Sequence, residues 1–287
     1  MAHRWRAALV SFRHTHGDVA ANIEGHRCWI EKAMEKRPRF IGFPEFSLTG
    51  WLEEPGAGLR PGSAPLREVA SWARRHRVFI GVGFVEKSGR VRHNATAVYG
   101  PRGLAGLMRK VNLIRREGQV YTPGREFPVF DCGGVRMAVA TCADATRYEM
   151  IHLPSLRGAE VVFAPHANTL GKYGGNPDGW IRWRLERWPL FAKDARVAIL
   201  GVNNAGLPAR RRAGEAPTKF CGGAMVVDWE GRVAAKFAPK ERREGLLFVD
   251  LDLAALREVR RTNFMAAEFR PAIVYNRRAG WVHGRVK

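Results

Sequence analysis

Short apolar runs that stop abruptly on polar or turn-forming residues recur along the whole chain, and they restrict its fold more than any other feature. Leu9 to Phe12, Phe40 to Phe43, Val78 to Val85, Asn94 to Tyr99, Leu104 to Met108 and Val135 to Thr141 read as strands, Phe40 to Phe43 and Val135 to Thr141 as buried ones, with Phe127 to Phe130 a further apolar run before the last. After the first of them, Asp18 stands as an N-cap before Val19, Ile23, Ile30, Ala33 and Met34, which recur at helical spacing until Pro38. Pro65 to His76 predicts a second helix, and Thr146 to Leu156 a third with Ile151, Leu153 and Leu156 on its apolar side. Strands alternating with helices, then strands in succession, imply an α/β protein with mixed sheets covered by helices.

At 287 residues, 46% hydrophobic and without a Ser/Gly/Pro-rich divider, the chain fits one large globular domain over 1–287. No run approaches the roughly 18 apolar residues of a membrane span, so no membrane partner is expected. Met1 to Arg6 leads directly into a strand-like stretch without an apolar leader, which reads as cytoplasmic. Cys28, Cys132, Cys142 and Cys221 are widely spaced, so neither a zinc site nor a disulfide framework is indicated. The net charge of +21 raises the question of nucleic acid, but the 38 Arg and 10 Lys are scattered, with only short clusters such as Arg210 to Arg212. No nucleic-acid partner is expected.

Three of the strands end on reactive side chains. Cys142 closes Val135 to Thr141; alone it reads either as a small buried hydrophobe or as a nucleophile near a helix N-terminus, where unpaired N–H groups favour thiolate and hold an oxyanion. Glu45 follows Phe40 to Phe43 in a loop, and alone is a solvated glutamate as readily as a site residue. Lys110 follows Leu104 to Met108; it is either a solvated strand end or a fixed cation that polarises a carbonyl. Together they supply the base, cation and nucleophile that acyl transfer through a thioester requires.

In their order and spacing these stretches resemble the nitrilase superfamily of carbon–nitrogen hydrolases. The resemblance lies in Phe43-Pro-Glu45 with Leu48-Thr-Gly50, Lys110 with Glu117 and Tyr121-x-Pro-Gly124, and Cys142-x-Asp144 with Glu149. It continues through Ala159 to Pro165, a long helix over Asp178 to Ala195, Val197 to Asn204, a hairpin around Asp228 to Gly231, and Glu244 to Asp252 followed by Arg270 to Tyr275. It implies a four-layer αββα sandwich of two mixed sheets. It also implies a homodimer or higher oligomer through outer helices, with 250–287 a C-terminal extension contributing to dimerisation. By position, Cys142 becomes the nucleophile, Glu45 the general base, Lys110 the oxyanion stabiliser and the Ala143 N–H a second oxyanion donor. Glu117 orients Lys110 or holds the substrate amide, and no metal or organic cofactor is needed.

The chain departs from its relatives at Asn112, where many members have His, and between Ala143 and Tyr148. Arg147, a clamp for a substrate carboxylate or else a surface charge beside Glu149, and Tyr148 are therefore candidate specificity residues. Ala143-Asp144 replaces the Trp-Glu usual after the nucleophile in the nitrile-cleaving branch, which favours the amidase and N-carbamoyl branches. The Gly-rich loop 166–180 is the expected substrate wall, with His166, Asn168 and Tyr173 as lining candidates. The expected activity is hydrolysis of a small-molecule amide or N-carbamoyl compound. The alternatives are a nitrilase proper or acyl transferase using the same cysteine, and a silent scaffold or basic nucleic-acid-binding protein.

Overall fold

The structure, a computed structural model, describes residues 4–114, 116–176, 178–206, 219–238 and 244–262, together with the backbone of 272–276 and 280–284. Its first half builds one sheet from β1 (Arg4–Ser11), β2 (Phe40–Gly42), β3 (Phe79–Ser88), β4 (Val91–Gly100) and β5 (Gly103–Arg109), crossed by α1 (Val19–Met34) and α2 (Ala64–His76). The second sheet contains β6 (Phe130–Asp131), β7 (Arg136–Val139), β8 (Val161–His166), β9 (Ala198–Asn203), β10 (Ala224–Val227) and β11 (Val233–Phe237). Between β7 and β9 come α3 (Glu149–Leu156), α4 (Gly179–Leu185) and α5 (Trp188–Ala195). The chain then returns to the first sheet as β12 (Gly245–Asp252), antiparallel to β1, and continues into α6 (Leu253–Thr262). A separate hairpin, β13 (Ala272–Asn276) and β14 (Gly280–Gly284), ends the described backbone.

The strand orders are β12-β1-β2-β3-β4-β5 and β11-β10-β9-β8-β7-β6. Each sheet has three central parallel strands, β1/β2/β3 and β7/β8/β9, flanked by antiparallel ones. Period-two alternation explains why these strands read as unbroken apolar runs: both of their faces are buried. Trp5, Ala7 and Leu9 of β1 join Val161 and Phe163 of β8 and Ala198, Leu200 and Val202 of β9 in the core between the sheets. The alternate residues Ala8 and Val10 pack with Ile23 and Ile30 of α1 and Leu66 and Val69 of α2. On the other side, Val162, Ala164 and Ile199 pack with Trp180, Trp188 and Ala192. These are the four layers of an αββα sandwich. Asp18 caps α1 as expected, its Oδ1 accepting from the Ala21 N–H at 2.9 Å.

Two helical expectations need correction. The stretch 178–195 is two helices rather than one: Pro189, which tolerates only a first-turn position, opens α5 after a break at Glu186 and Arg187. After Cys142 there is a 3-10 turn at Asp144–Thr146, and extended backbone at Arg147 stops it before α3 begins at Glu149. Cys142 is therefore not at an α-helix N-terminus. Within 250–287, residues 250–252 finish β12 and α6 docks through buried Leu253 and Leu256. The side chains beyond 262 lie outside the described residues.

Candidate active site

Glu45 owes its position to a loop laid across β3. The Phe43 N–H donates to Gly81 O at 2.9 Å and the Leu48 N–H to Gly83 O at 2.9 Å, so the chain leaving β2 stays tied to the sheet. Phe46 turns the backbone with φ 60° and packs its ring on Trp51 and Tyr121. Gly83 makes this close crossing possible, because a Cβ there would stand 2.5 Å from both Pro44 O and Phe46 N. Beneath the loop, buried His26 donates through Nδ1 to Asn22 O at 2.6 Å and meets Ser47 Oγ through Nε2 at 3.0 Å. Burial pushes His26 down to about 3, so it is neutral. From the second sheet, Asn204 Nδ2 donates to Glu45 O at 2.6 Å.

Lys110 leaves β5 with its N–H donating to Asn94 O at 2.8 Å, while Gly124 donates back to Lys110 O at 2.8 Å. Gly124 must be glycine, since a Cβ would lie 2.0 Å from Arg109 O. The Lys110 Nζ donates to Glu45 Oε1 at 2.8 Å and Glu117 Oε1 at 2.7 Å. Asn94 Nδ2 donates to the same two oxygens at 2.7 and 3.0 Å, and Glu117 Oε2 accepts from the Ile114 N–H at 2.9 Å. None of these four side chains belongs to a residue more than 2% exposed. Burial alone would lower the Lys110 pKa, but Glu45, Cys142 and Glu117 outweigh it and hold the ammonium well above its usual range. Burial and the charge of Glu45 raise Glu117 against the pull of Lys110.

Cys142 extends β7 by donating its N–H to Pro165 O at 2.9 Å, then turns with φ 50°. A left-handed conformation at a non-glycine residue stores backbone strain and is a recurrent feature of reactive positions. Burial and the charge of Glu45 push the thiol up to about 11, against Lys110 and Lys172. The shift favours the thiol, the opposite of what a helix N-terminus would favour, in keeping with a reaction that needs a base. Ala143 is half-buried, and its N–H donates to no group among the described residues. Asp144 ties the Lys110 and Cys142 strand ends together, Oδ1 accepting from Asn112 N at 2.7 Å and Asn112 Nδ2 at 2.9 Å. The asparagine at the usual His position thus buttresses the elbow. Thr141 Oγ1 and Thr96 Oγ1, 3.3 Å apart, bridge the two sheets.

Of the other candidates, Asn168 reaches the site directly, its Nδ2 donating to Cys142 Sγ at 3.2 Å. Tyr173 OH donates to Asn168 Oδ1 at 3.0 Å, and His166 lies fully buried behind them. Burial and the charge of Arg184 hold His166 well below its ordinary pKa. Tyr148 instead belongs to the outer helical layer, stacked on His152 at 5.0 Å and packed on Phe191 at 5.6 Å. Arg147 is exposed, and among the described residues no side-chain hydrogen bond or ion pair ties it to the cluster. Reading the sequence missed Asn94, Asn204 and Arg184. The first two looked like ordinary strand residues; an arginine set among Trp180, Trp183 and Trp188 did carry a signal of burial.

The chain is similar to known proteins over most of its length. The profile of the carbon–nitrogen hydrolase family matches residues 6–261. An (R)-stereoselective amidase from a Pseudomonas species is 30% identical over 258 residues, covering 88% of this chain and 87% of its own. A nitrilase from Pyrococcus abyssi is 29% identical over 241 residues, covering 82% and 85%. The crystal structure of a carbon–nitrogen hydrolase from Helicobacter pylori superposes with a TM-score of 0.80 at 21% identity, over 94% of this chain and 96% of that one, and so shares the fold. The chain belongs to the carbon–nitrogen hydrolase family.

Proposed function

We propose that this enzyme is an amidase that hydrolyses the C–N bond of a small-molecule amide or N-carbamoyl compound through a thioester on Cys142. The supporting observation is convergence: the buried Lys110–Glu45 ion pair of the first sheet and the strained Cys142 of the second lie within electrostatic reach of one another. The chemistry follows from their protonation. The Sγ–H proton passes to a Glu45 carboxylate oxygen as the sulfur lone pair forms the C–S bond, and the carbonyl electrons move to oxygen. Lys110 and the unpartnered Ala143 N–H stabilise that oxyanion. As the tetrahedral adduct collapses, the C–N bond breaks and the amine or ammonia leaves with the proton from Glu45. Glu45 then takes a proton from water, whose oxygen attacks the thioester; as the C–S bond breaks the acid leaves and Glu45 returns the proton to Sγ. Glu117 orients Lys110.

The departures at Ala143-Asp144 and the 30% identity with a named amidase favour amides over nitriles; the 29% identity with a named nitrilase keeps nitriles as the second reading. Loop 166–180 forms the substrate wall in this reading, and its exposed Lys172, whose charge acts on Cys142, attracts carboxylate-bearing substrates. We also infer a homo-oligomer formed through the outer helices, supported by Leu190 of α5, 59% exposed, and aided by the 250–287 segment. A cytoplasmic location is supported by four free cysteines, three of them buried. Among the described residues no helix is long and apolar enough to cross a membrane. The test is ammonia release from a panel of amides, carbamoyl compounds and nitriles by wild type and Cys142→Ala. Acid and ammonia from amides, lost in the variant, are expected; turnover of nitriles alone, or activity surviving in the variant, overturns the reading.

A further inference from the structure

Arg184 is fully buried, yet among the described residues no carboxylate pairs with it. Its guanidinium is held by neutral groups instead. Nη1 donates to Trp180 O at 2.9 Å and Tyr173 OH at 3.2 Å; Nη2 donates to Asn168 Oδ1 at 2.9 Å and His166 Nδ1 at 3.0 Å. The rings of Trp180 and Trp188 lie 4.5 and 5.3 Å from its central carbon. Because arginine only donates, the His166 Nδ1 that faces it carries no proton and the ring is neutral. Taking a guanidinium out of water costs several kcal/mol, which a buried arginine ordinarily offsets with a carboxylate. Among the described residues nothing neutralises the charge, and the inner end of its shell is Asn168.

That contact settles the orientation of the Asn168 amide. Its Oδ1 must face Arg184 and accepts from Tyr173 OH as well, so Nδ2 is the end 3.2 Å from Cys142 Sγ. The backbone cannot turn either: Asn168 N–H donates to Asn203 Oδ1 at 2.8 Å, and Asn203 Nδ2 donates to Asn168 O at 3.0 Å. The sulfur thus has a fixed donor from a cationic arm on the second sheet, whereas the charges of Glu45 and Glu117 oppose loss of its proton.

We propose that Arg184 is a positioning residue for the Cys142 nucleophile, acting through Asn168: it locks the amide N–H onto Sγ, and its uncompensated charge favours the electron-rich sulfur that forms as the proton leaves for Glu45. This rests on Cys142 being the nucleophile. The test is the pH dependence of Cys142 alkylation by iodoacetamide, with kcat and KM for an amide substrate, in Arg184→Met, Arg184→Lys, Asn168→Ala and the Arg184→Met/Asn168→Ala double variant. In Arg184→Met the alkylation profile moves to higher pH, and alkylation near neutrality and kcat each fall about tenfold or more, as loss of a hydrogen bond backed by charge does, with KM little changed. Arg184→Lys recovers part of the loss, and the double variant loses less than the sum of the single ones. A folded Arg184→Met with the wild-type profile, or fully additive losses, overturns the proposal. Should Arg184→Met not fold, Asn168→Ala decides alone: an upward shift supports the proposal and an unmoved profile overturns it. Turnover by Cys142→Ala would instead remove the reading on which it rests.

Discussion

The two sheets share a plan, three parallel strands inside antiparallel flanks, yet they bring opposite chemistry to the interface between them. The first contributes charges that are paired locally: Lys110 touches both Glu45 and Glu117 within 2.8 Å, and Asn94 bridges the two carboxylates. The second contributes a neutral thiol on strained backbone, one amide donor, and a cation with no counter-charge among the described residues. Buried charge is tolerable where it is paired, so the ionic half is also a structural tie. The nucleophile's half has no such compensation. In the proposed mechanism neither sheet holds a complete site, and the reaction begins when a proton crosses from one half to the other.

Substitutions on each side sharpen this division. The largest losses are expected from Cys142→Ala and Glu45→Gln, which remove the two ends of the proton transfer; kcat for amide hydrolysis falls about 10²–10⁴-fold in Glu45→Gln and further in Cys142→Ala. Glu45→Gln keeps its shape, so an unchanged melting temperature beside the lost rate would place Glu45 in the chemistry. Lys110→Met leaves two buried carboxylates without their cation and is expected to cost about 3–5 kcal/mol in denaturant unfolding, besides activity. If it proved as stable as wild type, the ionic half would not be the tie described here. Gly83→Ala introduces a methyl 2.5 Å from Pro44 O and Phe46 N, shifting the Glu45 loop. A misplacement of that kind lowers kcat about 10²-fold.

The acid side of the stability profile probes the support of the same loop. His26 has a folded pKa, about 3, below the ordinary value of 6.5, so the unfolded chain binds its proton first. Its contribution is therefore complete above about pH 6.5 and drains away as pH falls toward 3. His26→Gln should flatten that limb in denaturant titrations at several pH values. The smallest effect is expected from Arg147→Ala: an exposed side chain with no described contact should change stability by less than about 0.5 kcal/mol. A large rise in KM there would return Arg147 to the site.

Much of the first-sheet half was legible in the sequence because its signals are local. Glu45 and Lys110 each come just after a short apolar strand, and Asp18 announces α1. Cys142 was equally visible, but its state was not. The thiol's environment depends on Glu45 and Lys110, residues 97 and 32 positions away in a chain whose separate sheets must first pack, and no helix end supplies the stabilisation that periodicity suggested. Asn94, Asn204 and Arg184 escaped for the same reason. A polar residue on an otherwise apolar strand or helix acquires its role only from what the opposite layer places against it. Tyr148 shows the converse: next to the elbow in sequence, it faces the outer helices because extended backbone at Arg147 redirects the chain.

Intact-protein and peptide mass spectrometry of the enzyme, quenched during turnover of an amide, tests most directly whether the two halves act as one site. The expected result is an acyl group on the peptide that contains Cys142, absent in Cys142→Ala and formed more slowly in Glu45→Gln. Steady ammonia release with no adduct on that peptide, and undiminished release by Cys142→Ala, would contradict it.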